Sequence, residues 1–164
     1  MFEDSLKQIL KWTLICLLSF TTFNLFISGK IEASIEIEVS ADVVYEKVAN
    51  LQNWPNWWEK DSTMTIVYSG NKSGLGSKIS WSGIDGSGSL EIIEANFSKD
   101  LKSELIFEGM TPSYSTWTFE KTDIGTGVTY SFDEELPFYV HFMQLFISNK
   151  LEDRLVRLKK ICEE

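Results

Sequence analysis

Asn53-Trp54-Pro55-Asn56-Trp57-Trp58 brings three of the chain's six tryptophans into five consecutive positions. A buried indole removes on the order of 200 Å² from water, so three of them beside a proline must anchor a core, a ligand cavity or an interface. Pro55 interrupts a regular helix, and the segment therefore reads as a second short helix or turn. The helix before it is written in Ala41, Val44, Tyr45, Val48 and Leu51, which recur at helical spacing. Ser40 stands ready to cap it, and Asp42 is favourable in its first turn. Further back, Ile31 to Ser40 alternates: Ala33, Ile35, Ile37 and Val39 on one face, Glu32, Ser34, Glu36 and Glu38 on the other. That is a strand with one buried face and one wet face.

Downstream of the tryptophans, strand-like runs follow near 62–69, 76–82, 86–95, 101–109, 113–121 and 126–136. Turn signals such as Asn71-Lys72-Ser73-Gly74 and Asp123-Ile124-Gly125 separate them, as in a meander of consecutive hairpins. Their expected inward faces are bulky. They comprise Met64, Ile66 and Tyr68; Ile79 and Trp81; Leu90 and Ile92; Leu101, Leu105 and Phe107; Trp117 and Phe119; Val128, Tyr130 and Phe132. Pro137 then opens one long helix reaching Glu164, with Met143, Ile147, Leu151, Leu155, Leu158 and Cys162 as its apolar stripe. From Phe138 to Ile147 this helix is apolar nearly all round, which demands cover on several sides.

Strand, two short helices, six-stranded meander and long closing helix is the order of the helix-grip fold. The chain resembles the START-like SRPBCC superfamily, nearest its polyketide cyclase/dehydrase-like branch. The resemblance is carried by Ile37-Glu38-Val39-Ser40-Ala41 running into Val44-Tyr45-Glu46-Lys47-Val48, by Leu51 and Trp54-Pro55-Asn56-Trp57, and by Leu155-Val156-Arg157-Leu158-Lys159-Lys160. It spans roughly residues 31–163. Asp42 departs from it, where a proline is usual, and so does Arg157, where a small residue is usual. The resemblance implies an α+β fold: a curved antiparallel sheet of about seven strands gripping the C-terminal helix, with a hydrophobic cavity between them. Relatives bind lipids, sterols, quinones or polyketides, some catalyse cyclisation, and others assist a chaperone, so the family alone assigns no activity.

The chain divides into residues 1–30 and a single domain, 31–164. Net charge is −9, and from Ile31 onward 22 acids face 12 bases. Such a surface repels phosphate backbones and argues against a nucleic-acid partner. Between Trp12 and Gly29 there is no charged residue, with Lys7 and Lys11 on one side and Lys30 on the other. Eighteen uncharged residues suffice, at the short end, to cross a bilayer. A retained single-pass anchor through residues 12–29 is the reading favoured here. A signal peptide cut after Ile27-Ser28-Gly29 and an amphipathic helix packed on the domain are the alternatives. The lysine bias places the domain on the extracytoplasmic side, and signal cleavage would leave it secreted. Cys16 and Cys162 stand at opposite ends of the chain and are not expected to pair.

No catalytic set is written in the sequence. His141, the only histidine, lacks an evident carboxylate or hydroxyl partner, and its plain reading is a residue at the cavity rim. Glu134 shares parity with Tyr130 and Phe132, so it is a candidate acid or base if the strand runs that far. The expected ligand-binding residues are Tyr68, Trp81, Trp117, Tyr130, Phe132, Tyr139 and Met143, with phenols orienting a polar head. Tyr114 is a further aromatic of the same kind. Trp54, Trp57 and Trp58 are expected to brace the short helices against the sheet, one of them able to gate the cavity. A metal site and a cofactor are not expected. The leading expectation is a membrane-tethered domain that binds a hydrophobic small molecule or lipid without chemistry. Alternatives are a cyclase/dehydratase-like enzyme using Glu134, His141 or a tyrosine, and a protein-interaction or chaperone-cofactor module docking through its acidic face.

Overall fold

The computed structural model describes residues 8, 11–15, 19, 31–58, 63–84, 86–133 and 141–164, with side chains of the last segment described from 149. Strand β1 (Glu32–Ile37) leads into helix α1 (Ala41–Ala49) and a 3-10 turn (Leu51–Asn56). Strands β2 (Thr65–Gly70), β3 (Ser77–Gly83), β4 (Gly86–Asn96), β5 (Asp100–Phe107), β6 (Ser113–Lys121) and β7 (Thr126–Phe132) follow, and helix α2 (His141–Glu163) closes the chain. All seven strands form one antiparallel sheet in the order β1-β7-β6-β5-β4-β3-β2. The meander from β2 to β7 is made of neighbours in sequence, and β1 adds at the far edge beside β7. This is the architecture of the helix-grip fold. A bulge between Ile92 and Glu94 places an extra residue in β4 and bends the sheet there.

The alternation of β1 produces the expected face, with Ala33 and Ile37 buried against the core. On α1, Val44, Tyr45 and Val48 point inward and Asp42 stands in the first turn. Ser40 occupies the N-cap, but its carbonyl, not its hydroxyl, receives the first-turn N–H groups, from Val43 at 3.1 Å and Val44 at 3.3 Å. Asp42 instead accepts a 2.5 Å hydrogen bond from Ser98, which ties the β4–β5 turn to α1.

Leu151, Leu155, Leu158 and Cys162 form the buried stripe of α2, which lies against β1 and α1. Two polar clasps fasten its C-terminal end. Lys159 Nζ donates to the Glu36 carbonyl at 2.9 Å, and Glu163 Oε1 accepts from the Glu38 N–H at 2.8 Å. The buried Cys162 thiol is pushed up to about 11 by desolvation, so it stays protonated and inert at neutral pH.

Among the described residues no helix is long and apolar enough to cross a membrane. The expected anchor, residues 12–29, lies for the most part outside the described residues, and so do Glu134 and Tyr139. The backbone of His141 and Met143 belongs to α2, while their side chains fall outside the description.

Candidate functional site

The tryptophan segment is packed through its own chemistry. Trp54 Nε1 donates a buried 2.8 Å hydrogen bond to the Val48 carbonyl, which locks the 3-10 turn to the end of α1. Its ring stacks on Trp58, with centroids 4.8 Å apart and planes at 21°. Trp57, 1% exposed, meets Trp117 edge to face at 5.8 Å, and Trp117 in turn stacks on Tyr130 at 4.1 Å. A continuous aromatic block thus joins the turn to β6 and β7. Bracing is the role of Trp57, whereas Trp54, Pro55 and Trp58 also form one wall of a cavity of about 460 Å³.

Strand register builds the cavity floor from rows of side chains running across the sheet. One row is Ile66–Trp81–Gly88–Phe107, over β2 to β5. The next is Ile79–Leu90–Leu105–Ser113, over β3 to β6. Every member of both rows except Gly88 lines the cavity. Gly88 is empty for a reason. A Cβ there would lie 2.4 Å from the Trp81 ring and 2.7 Å from the Ile106 carbonyl oxygen. The missing side chain lets Trp81 lie across β4 and reach Phe107 on the far side, edge to face at 5.7 Å. Tyr130 and Phe132 from β7, Ile31 ahead of β1 and Met64 ahead of β2 complete the apolar lining.

Among the described lining residues, three carry a hydroxyl or guanidinium group. Ser113 spends its hydroxyl on the Leu105 carbonyl at 3.4 Å. Tyr130 is fully buried, and desolvation pushes its phenol up to about 12, against the Ser115 hydroxyl and the positive charge of Arg154. It is therefore a protonated donor at any physiological pH, not a base. Arg154 from α2 is the third, its guanidinium carbon 3.8 Å above the Trp58 ring. Cation–π contact with the electron-rich face holds it there. Arg154, Trp58 and Trp54 thus form one stack.

Of the expected ligand-binding residues, Trp81, Tyr130 and Phe132 line the cavity. Tyr68 and Trp117 do not. Tyr68 continues the Ile79–Leu90 row, but it sits on the edge strand β2 and remains 37% exposed among the described residues. Trp117 faces the same side as Tyr130 yet lies beneath Trp54 and Trp57, sealed at 1% exposure. Tyr114 points its hydroxyl to Glu104 at 3.2 Å, outside the lining. Sequence reasoning missed Arg154, although its spacing contained a signal. Leu151, Arg154 and Leu158 keep helical spacing, so Arg154 belongs to the edge of the buried stripe. No cluster of three or more His, Cys, Asp or Glu able to hold a metal is found among the described residues.

A curved antiparallel sheet, a closing helix and an apolar cavity between them define a protein of the helix-grip fold. The profile of the family described as polyketide cyclase / dehydrase and lipid transport matches residues 28–163, and the chain belongs to that family. Protein CV1439 from Chromobacterium violaceum is similar in fold, with TM-score 0.62 and 11% identity over 83% of this chain and 99% of its own. The Aha1 dimer from Colwellia psychrerythraea is similar at TM-score 0.64 and 18% identity, over 82% of this chain and 96% of its own. DynU16, a protein in the dynemicin biosynthetic locus, is similar at TM-score 0.61 and 14% identity, over 80% of this chain and 46% of its own. No curated protein matches the sequence.

Proposed function

We propose that this protein binds a hydrophobic small molecule or lipid in the cavity between the sheet and α2, and carries it without chemical change. The observation that supports this reading is the cavity itself: about 460 Å³, walled by aliphatic and aromatic side chains, with few polar groups. That size and composition are those of a site that takes up an apolar ligand. The polar groups at its edge are donors: Tyr130 holds its proton, and Arg154 is a permanent cation. They orient a ligand's polar end and supply no base.

The tether is part of the same proposal. Residues 12–29 carry no charge and are flanked by lysines. In the helical stretch at 11–15, Trp12, Leu14 and Ile15 are exposed. A tether would hold the cavity beside a bilayer, the store of apolar molecules, with the domain on the extracytoplasmic side.

A second reading, a cyclase or dehydratase, draws support from the same donors, since a phenol and a guanidinium can stabilise an enolate. The DynU16 resemblance leans the same way, being to a protein of a biosynthetic locus. Native mass spectrometry and solvent extraction of the full-length chain purified from cells test the first reading. A stoichiometric apolar ligand, released unchanged after incubation, is the expected result. An empty protein that takes up no neutral hydrophobic fluorophore would refute it. Product formation abolished by His141→Ala or Glu134→Gln would establish the enzyme instead.

A further inference from the structure

Antiparallel register gathers the starts of β1, β2, β4 and β6 and the ends of β3, β5 and β7 at one end of the sheet. The cavity lies toward that end. Ile31 before β1, Met64 before β2, Trp81 late in β3, Phe107 closing β5, Ser113 opening β6 and Phe132 closing β7 all line it. The other half of the grip is filled, since Ile37, Ile92, Leu101 and Val128 are buried and none of them lines the cavity.

Two hairpin turns project from the cavity end. Ile84, between β3 and β4, is 83% exposed, and Met110, between β5 and β6, is 69% exposed. The two turns are tied together, because the Glu108 N–H donates to the Ser87 carbonyl at 2.9 Å. The Met110 N–H closes its own turn on the Phe107 carbonyl at 3.0 Å. Phe107 lines the cavity and is itself partly exposed, so it connects the turns to the interior. Exposure alone does not single out this end, because Leu75, Phe97 and Ile124 are exposed on the turns at the opposite end. What singles it out is where the chain enters. The uncharged stretch 12–29 ends two residues before Ile31, a span of at most about 7 Å. A domain joined that closely to a membrane span has no slack to present its far end to the lipid. Segments 83–87 and 107–112 contain the acids Asp85 and Glu108 and no base, so apolar insertion, not attraction to anionic headgroups, must supply the contact.

We propose that this end of the sheet seats on a zwitterionic bilayer, with Ile84 and Met110 inserted among the headgroups and the cavity facing the membrane. Resting on the tether reading, this gives the domain a fixed orientation and gives an apolar ligand a route from lipid to cavity past Phe107.

The test places a nitroxide label on Ile84→Cys, Met110→Cys, Leu75→Cys and Ile124→Cys, one at a time, in the full-length chain carrying Cys16→Ser. The remaining cysteine, Cys162, is buried. In phosphatidylcholine vesicles, relaxation by oxygen, which concentrates in lipid, is compared with relaxation by a water-soluble nickel chelate. Labels at 84 and 110 should favour oxygen, and labels at 75 and 124 should favour nickel. Nickel preference at 84 and 110 in a chain that stays with the vesicles overturns the proposal and leaves the tether standing. Oxygen preference at all four positions also overturns it, since the domain then has no fixed seat. Spin–spin broadening at 84 without a lipid signature assigns the turns to a second copy of the chain, with the same consequence. A chain that does not stay with the vesicles removes the tether reading and this one with it. The double variant Ile84→Asp, Met110→Asp alters side chains outside the cavity lining. It should slow entry of a neutral fluorophore from the vesicle into the protein roughly 10-fold while leaving the amount bound at equilibrium unchanged. An unchanged entry rate counts against the route. A wild-type chain that binds no fluorophore refutes the carrier reading and removes the route with it, whereas the label pattern still decides the seat.

Discussion

Replacing Gly88 by alanine should destabilise the fold and deform the cavity, and Trp81 should be the residue that transmits the effect. Gly88 has an ordinary strand conformation, so alanine restricts the unfolded chain and, taken alone, stabilises by about 0.4–1 kcal/mol. Against that stands the collision of the new methyl with the Trp81 ring at 2.4 Å and the Ile106 carbonyl at 2.7 Å. The carbonyl is backbone and cannot move far, so the indole must swing off β4, losing its edge-to-face contact with Phe107. Overpacking of this kind costs about 1–3 kcal/mol, for a net loss of about 1–2 kcal/mol. In a Trp81→Leu background only the carbonyl contact remains, so Gly88→Ala should then cost about 1 kcal/mol less. Equilibrium urea denaturation of the four proteins closes the cycle, and uptake of a neutral hydrophobic fluorophore should fall in Gly88→Ala alone among the single exchanges that leave the wall residues in place. Equal costs of Gly88→Ala in both backgrounds would refute the idea that the glycine exists to seat Trp81.

Leu90→Trp places an indole into the cavity from its floor. In a filled core this exchange costs about 1–3 kcal/mol, but beside an open volume it should leave urea stability nearly unchanged while abolishing fluorophore uptake. A strongly destabilised variant that still binds would show the volume to be occupied by side chains. Tyr130 gives an alkaline signature. Its folded value, about 12, is raised above the unfolded 10.0, so its contribution is complete below pH 10 and is lost as pH climbs toward 12. Fully buried, it accounts for about 2–3 kcal/mol of that fall, and Tyr130→Phe should flatten stability across this window, as read by urea midpoints at successive pH values. Trp54→Phe keeps an aromatic ring but leaves the buried Val48 carbonyl without its donor, at a cost of about 1–3 kcal/mol in the same denaturation assay.

The fold was largely legible in the chain because it is written in local periodicity. The alternation from Ala33 to Ile37 and the regular turn signals between the later runs specify strands whose pairing follows from hairpin neighbourhood. The stripe of Leu151, Leu155 and Leu158 specifies the closing helix in the same local terms. Such signals need only a chain's own neighbours, within a turn or a pleat. The tryptophan segment was equally plain as an anchor, since so much apolar surface has no other stable fate.

The cavity is another matter, because it depends on what is left unfilled. Tyr68 and Ile66 share a face and a strand, yet of the two only Ile66 meets the cavity, while Tyr68 lies further along the edge strand and stays exposed among the described residues. Trp117 and Tyr130 are paired across β6 and β7 and both are buried, yet Trp117 is sealed under Trp54 and Trp57 while Tyr130 borders the cavity. Arg154 reads as one charged residue among many on a charged helix, and only its stacking on Trp58 turns it into the cavity's cation. The amino-acid sequence by itself determined the strands, the helices and the sides they bury, because these are properties of spacing along one chain. Only the tertiary structure decided which inward side chains pack against each other and which face the void, because that rests on register across seven strands and on partners brought together from distant parts of the chain.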